Sequence, residues 1–247
     1  MKRFKFLLMA MCLSAFLLSS AIVFSQENAK NVMVETIYIM PVKGKEKDFE
    51  KAVKLHNDTF HNTAPHQAGM NLILTGPETG WYVWYMGPTT FTDLDSRPAG
   101  AHDGDWTAKI DPLIKKYGKT EYWKYEAKSS LVPDGVVDSK YSTMWVIDVE
   151  NDSMDKMKGL LDKVNAVNAK KAGETMRVYS SRFNAGDGRD LVLIFDFNKW
   201  AELDEDNDFI KRFDAMNGAD SFAAFLKEWR SVVQGNKEAV WLDVFKE

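Results

Sequence analysis

The sequence has almost no cysteine: Cys12, the only one, lies within residues 1–25. Those residues read as a removable leader. Lys2, Arg3 and Lys5 give a positive start, and Phe6 to Phe24 form an apolar run diluted by Ser14, Ser19 and Ser20. Val23 and Ser25 are small enough for the −3 and −1 positions of a cleavage site. The run approaches the length of a spanning helix, so an uncleaved anchor is the competing reading. Cys12 follows Met11 and the run continues past it, which does not fit a lipid-carrying cysteine. Without the leader the chain has no thiol. That excludes disulfides, thiolate metal sites and a cysteine nucleophile. The expectation is a soluble chain in a secreted or periplasmic place, long enough to bury a core without covalent staples.

Other absences narrow the function. There is no basic run, and the formal charge of −4 becomes more negative once the basic leader is set aside. This argues against nucleic acid and anionic membrane surfaces as partners. No second apolar stretch reaches spanning length, so no stable membrane insertion is expected after leader cleavage. G-x-S-x-G and Walker patterns are missing. NAGDG (184–188) has two glycines but no helix after it, and reads as a hairpin turn rather than a phosphate loop.

What is present is one plan used twice. In residues 26–128, strands are expected at 34–42, 70–76, 81–87 and 120–128, with helices at 45–60 and 105–118. In residues 141–247 the order recurs: strands at 141–150, 175–182, 190–197 and 238–246, and helices near 153–171, 198–216 and 219–234. SSLVPDGVVDSK (129–140) links the halves. Each half is β-α-β-β-α-β, the ferredoxin-like plan. The strands are apolar on both faces: Trp81, Val83 and Tyr85 against Tyr82, Trp84 and Met86, and Leu191, Leu193 and Phe195 against Val192 and Ile194. A sheet with one wet face would alternate cleanly. Helices cover one face, and the sheet of the other half is the simplest cover for the second. The fold class expected is therefore α+β, two ferredoxin-like repeats packed sheet to sheet as an intramolecular barrel. On this element order and these strands the chain resembles the dimeric α/β-barrel superfamily in its fused, two-repeat form.

Three of the four histidines, His56, His61 and His66, fall at intervals of five. Phe49, Ala52, Val53 and Phe60 form one helical stripe, and His56 lies within it. At about 100° per residue, His61 turns away from His56, and Pro65 cannot continue the helix to His66. Helical metal pairs use i,i+4 spacing. No metal site is therefore expected, unless a folded loop returns His66 or His102 to the place. Aligning Phe49 with Met157 in the stripe Met157, Leu160, Leu161, Val164 sets His56 opposite Val164. His56 is then either a core histidine, bonded to Tyr85, Tyr82 or backbone, or a residue pointing into a pocket between helix and sheet. The resemblance adds that members binding haem or oxidising aromatic compounds use this space. In some haem-degrading members a helix histidine is the axial ligand, a role His56 matches in kind and placement.

Two further groups stand out. RPAGAHDGDW (97–106) reads as a Gly-rich loop in which Asp105 caps a helix starting at Trp106. His102 with Asp103 could alternatively be a base and its orienting carboxylate. Asp148, Asp196 and Asp243 lie in strands expected to be neighbours, where clustered carboxylates would mark a site for Lys124 or a cation. The leading reading is a binding protein for a small apolar or aromatic molecule, with a pocket formed by His56, Phe60, Tyr82, Trp84, Tyr85 and His102. The runner-up is a monooxygenase-like or haem-dependent enzyme using His56. A third is a structural protein whose barrel exterior mediates assembly into an oligomer. No catalytic residue is assigned.

Overall fold

The computed structural model describes residues 32–133, 139–183 and 185–246. The leader assigned to residues 1–25 lies outside them, as do residues 134–138 of the linker. No helix among the described residues is long and apolar enough to cross a membrane.

From Met33 onward the chain forms a closed barrel of eight antiparallel strands. The first half contributes β1 (Met33–Pro41), α1 (Glu46–Phe60), β2 (Ala68–Ile73), β3 (Tyr82–Thr89), the short α2 (Phe91–Leu94), α3 (Ala101–Lys109) and β4 (Ile114–Tyr125). The second contributes β5 (Tyr141–Val149), α4 (Met154–Asn168), β6 (Arg177–Ser181), β7 (Leu191–Phe197), α5 (Phe209–Asn217), α6 (Ser221–Arg230) and β8 (Val233–Asp243). Around the barrel the order is β1-β3-β2-β8-β5-β7-β6-β4. Each half is thus the ferredoxin-like sheet, β4-β1-β3-β2 and its copy β8-β5-β7-β6. The two sheets do more than face each other. Their edges hydrogen-bond at β2–β8, with Leu72 opposite Leu242, and at β4–β6, with Lys124 opposite Ser180. Among the described residues, closure pairs every strand of the barrel on both sides.

The two-sided strands are explained by three cores. Tyr38, Ile73, Val83, Trp123, Met144, Val146, Val192 and Trp241 fill the barrel. Outside it, Phe49 and Val53 of α1 pack on Ile39, Met70, Tyr82, Trp84 and Met86. On the other side Met157, Leu160 and Leu161 of α4 pack on Ile147, Val178, Leu191 and Leu193. Phe49 and Met157, the residues matched between halves, are both fully buried. Each such side chain contributes roughly 1.5–3 kcal/mol.

Some boundaries differ from expectation. The helix read at 105–118 instead begins at Ala101 and ends at Lys109, and Asp111–Leu113 is one 3-10 turn containing Pro112. The residues Ile114 to Lys119, which look like the end of a basic helix, are the start of β4, because β1 offers them a ladder from Pro41 to Ile37. At the C-terminal end β8 likewise begins at Val233, and α6 stops at Arg230. The three strand aspartates do not cluster. Asp196 is held by Ser142 and Arg177 at 2.9 and 2.5 Å, Asp243 lies near Lys246, and Asp148 stands opposite Gly235 at the other end of β5.

Candidate functional site

The site lies on the outer face of the first half, between α1, α3 and the sheet. The periodicity of α1 places His56 inward, where it is 1% exposed. The helix ends at Phe60, and His61 takes a non-helical conformation (φ −133°, ψ 36°). From that residue on, helical arithmetic no longer applies. His61 folds back, its ring 5.4 Å from that of His56. His102 arrives from α3, 4.7 Å from His56 and 5.0 Å from His61, ring centre to ring centre. One ring nitrogen of each imidazole lies within 4.8 Å of those of the other two. The expectation that five-residue spacing keeps the rings apart is therefore overturned: the helix stops between them. Among the described residues no comparable group exists in the second half, where Val164 takes the place of His56.

The outer nitrogens fix the tautomers. His61 Nδ1 sits 2.9 Å from the His66 carbonyl, which can only accept, so Nδ1 carries the proton. His102 Nδ1 lies 2.8 Å from a carboxylate oxygen of Asp103. His56 Nδ1 lies 3.0 Å from Asp105 Oδ2. Asp105 is held below the usual carboxylate range by its hydrogen bonds from Lys109 and then His56, so it accepts. Asp105 is thus the partner of His56 and not a helix cap; Gly100 stands at the start of α3. With Nδ1 protonated, each ring in its neutral form presents an Nε2 lone pair. His61 Nε2 and His102 Nε2 face each other at 2.9 Å, and His56 Nε2 is buried with no hydrogen-bond partner. Two lone pairs at that distance repel, so the contact holds either a proton shared by the two nitrogens or a cation bound by both. Nitrogens bound tetrahedrally to one ion at about 2.0–2.1 Å would sit about 3.4 Å apart, within the spread seen here.

Burial favours the neutral form of His56 and His61. It pushes His61 down to about 4, and it lowers His56 against the opposing hydrogen bond from Asp105. In the metal-free chain these groups bind protons more weakly folded than unfolded. Their stabilising contribution is complete above the ordinary value of 6.5 and is lost as pH falls towards about 4. His61 alone accounts for about 3 kcal/mol over that window, and His56 acts in the same direction. Urea unfolding followed between about pH 7 and 4 should show this loss; a flat profile would contradict the buried, neutral assignment.

A cavity of about 120 Å³ adjoins the cluster, lined by Ile37, Trp84, Met86, Arg97, Pro98 and Trp106 together with His61 and His102. Of the residues expected in a pocket, the structure brings together His56, Phe60, Trp84 and His102. Phe60 packs 5.0 Å from His56. Trp84 lies 5.3 Å from His61 and gives its indole N–H to Asn57 at 3.0 Å. Tyr82 is on the same face but bonds Glu50 at 2.7 Å and packs on Phe49, away from the cavity. Tyr85 does not belong: strand alternation turns it to the barrel side, over Gly69, where any Cβ would collide with its hydroxyl. Neither tyrosine bonds His56. Sequence reasoning missed His61, Trp106, Arg97 and the role of Asp105. Pro65, which forces the chain off the helical path, was the available pointer to His61.

Haem does not fit this site. His56 is walled in by Phe60, His61, His102 and Trp106. The adjoining space is also well below the roughly 300–1,000 Å³ of pockets for ligands of drug size. The donor set, three imidazoles without thiolate, suits a single ion such as zinc, copper, iron or nickel.

No protein-family model matches the sequence, and no curated protein matches it. Among solved structures the chain is similar to a candidate monooxygenase of Fusobacterium nucleatum (TM-score 0.54, 11% identity, 86% of this chain and 92% of that one). It is also similar to a candidate monooxygenase of Lactobacillus acidophilus (0.52, 11%, 86% and 94%) and to an anthrone oxidase-like protein (0.51, 13%, 87% and 92%). These are dimeric α/β-barrel proteins, and identities this low establish a shared fold.

Proposed function

On this dimeric α/β-barrel fold, we propose that the protein is a metal-dependent enzyme. Its mononuclear divalent centre is held by Nε2 of His56, His61 and His102, and it acts on a small apolar or aromatic molecule in the adjoining cavity. The observation that carries the reading is the orphaned, buried His56 Nε2 beside two facing Nε2 atoms, each imidazole being fixed from behind by a carboxylate or carbonyl. Such outer partners orient metal-binding histidines and raise their basicity. Three protein ligands leave a coordination position open, as in catalytic rather than structural centres. A bound ion would supply Lewis-acid or redox chemistry at that position. The chain's own groups hold the imidazoles neutral, fix their tautomers and present indole faces to the ligand. An oxidative reaction also accords with what the similar structures are named for. A cavity comparable to one of about 150 Å³ that holds benzene favours a single ring over larger polycyclic molecules.

Titration of the metal-stripped chain with Zn²⁺ and Co²⁺ tests this. One ion per chain is expected, with a tetrahedral cobalt spectrum; no uptake would refute it. Asp105→Asn should weaken that binding about 10- to 100-fold, as loss of an outer partner does elsewhere, measured by competition with a chromophoric chelator. Unchanged affinity would remove Asp105 from the centre.

A further inference from the structure

Arg97 lines the cavity together with His61, His102 and the apolar Trp84, Trp106, Met86 and Ile37. One of its N–H groups goes from Nη2 to Glu35 Oε2 at 2.6 Å. Glu35 is 2% exposed, and its second oxygen accepts the Tyr122 hydroxyl at 2.8 Å. Both carboxylate oxygens are thus engaged, and Glu35 acts as the support that aims the guanidinium. Arginine carries five N–H donors in a rigid fork. Glu35 and the neighbouring Tyr122 hydroxyl engage part of that fork, and five donors exceed what these two can take up. Its side chain is 37% exposed, so a ligand can reach it.

The cavity's lining therefore combines flat indole surfaces, one cationic fork with more donors than its two neighbours can take up, and two imidazoles. From this we infer that the ligand is a single-ring molecule bearing an anionic oxygen, of the aromatic carboxylate class. The ring lies against Trp84 and Trp106 and the carboxylate on Arg97. This rests on the proposed site for its location and gives that site a substrate class. Arg97 is a specificity-determining residue in it. Charge-assisted, two-point contacts of this kind are the stronger hydrogen bonds of proteins, so the preference over a neutral molecule of the same shape should be large.

The test uses benzoate and its neutral isostere benzamide. Each is titrated into the purified chain, metal-loaded and metal-free, with binding followed by tryptophan emission. Benzoate should bind about 10- to 100-fold more tightly than benzamide, and Arg97→Gln should abolish the difference with metal content unchanged. Because that variant leaves Glu35 buried beside Tyr122 alone, the paired variant Glu35→Gln/Arg97→Gln keeps the neighbourhood neutral and should also lose the preference. Equal affinities in the parent chain, no binding of either compound, or a preference that survives Arg97→Gln would overturn the inference. A chain that takes up no metal yet shows the Arg97-dependent preference would refute the metal centre and leave the anion site standing. A chain that takes up metal without the preference would do the reverse.

Discussion

His61→Ala should lower the affinity for a divalent ion by more than about 100-fold, since it removes a ligand where loss of a mere outer partner costs about 10- to 100-fold. His61 is 4% exposed and stands at the junction where α1 ends. Its Nε2 is one of the two nitrogens that face each other at 2.9 Å. The variant should still fold, because α1 is anchored by Phe49 and Val53, both fully buried and remote from the ring. Circular dichroism with a thermal midpoint establishes folding, and chelator competition reads the affinity. His66→Ala is the control. Its side chain reaches only the Asp93 carbonyl, at 2.9 Å, and the group that supports His61 is the backbone oxygen of residue 66, which the variant keeps. Metal affinity in that variant should stay close to the parent's. If His61→Ala binds as tightly as the parent, the convergence of rings has no ligand role.

The second large effect concerns closure of the barrel. Arg189, carried by the second half, is 7% exposed and reaches into the barrel. It donates to Glu121 of β4 through Nε at 2.6 Å and Nη2 at 3.1 Å, and to the Tyr38 hydroxyl at 2.9 Å. The facing carboxylate and Tyr38 offset the burial that would otherwise disfavour its charge, so its proton is held even more firmly than usual. Glu121→Leu removes the carboxylate hydrogen-bonded to that cation, which is 7% exposed, and leaves only the more distant Glu78 to offset it. Breaking one partner of such a pair costs about 3–5 kcal/mol, a large share of the roughly 5–15 kcal/mol that stabilises a domain. Denaturant unfolding should record the loss. Replacing both partners, Glu121→Leu with Arg189→Met, should recover much of it. A loss below about 1 kcal/mol would mean the pair is solvated as a surface pair is, and the barrel less tightly closed than described.

How far the sequence discloses this depends on which physical rule governs each residue. Tyr82 to Met86 announce a strand covered on both sides because side chains alternate between faces with period two and both faces are apolar, and no loop intervenes. His56 is legible as an inward residue because the stripe from Phe49 to Phe60 follows one helical period. His61 is not, since the rule that predicts its direction stops applying one residue before it. α3 is also obscure: Ala101-His102-Asp103-Gly104-Asp105 holds little apolar surface, and Gly104 costs about 1 kcal/mol in a helix. What holds that turn in place is tertiary, namely the His56–Asp105 bond and the Trp106 ring packed 5.0 Å from His56 and 6.1 Å from Trp84. Arg97 lies 62 residues from its carboxylate partner, a distance in sequence over which no local pattern operates.

The most direct measurement is anomalous diffraction from crystals of the zinc- or cobalt-loaded chain. The account predicts one peak, about 2.0–2.1 Å from Nε2 of His56, His61 and His102 alike, with Asp105, Asp103 and the residue 66 carbonyl still on the three Nδ1 atoms. A peak held elsewhere, or none while His61 and His102 remain in mutual contact, would contradict it.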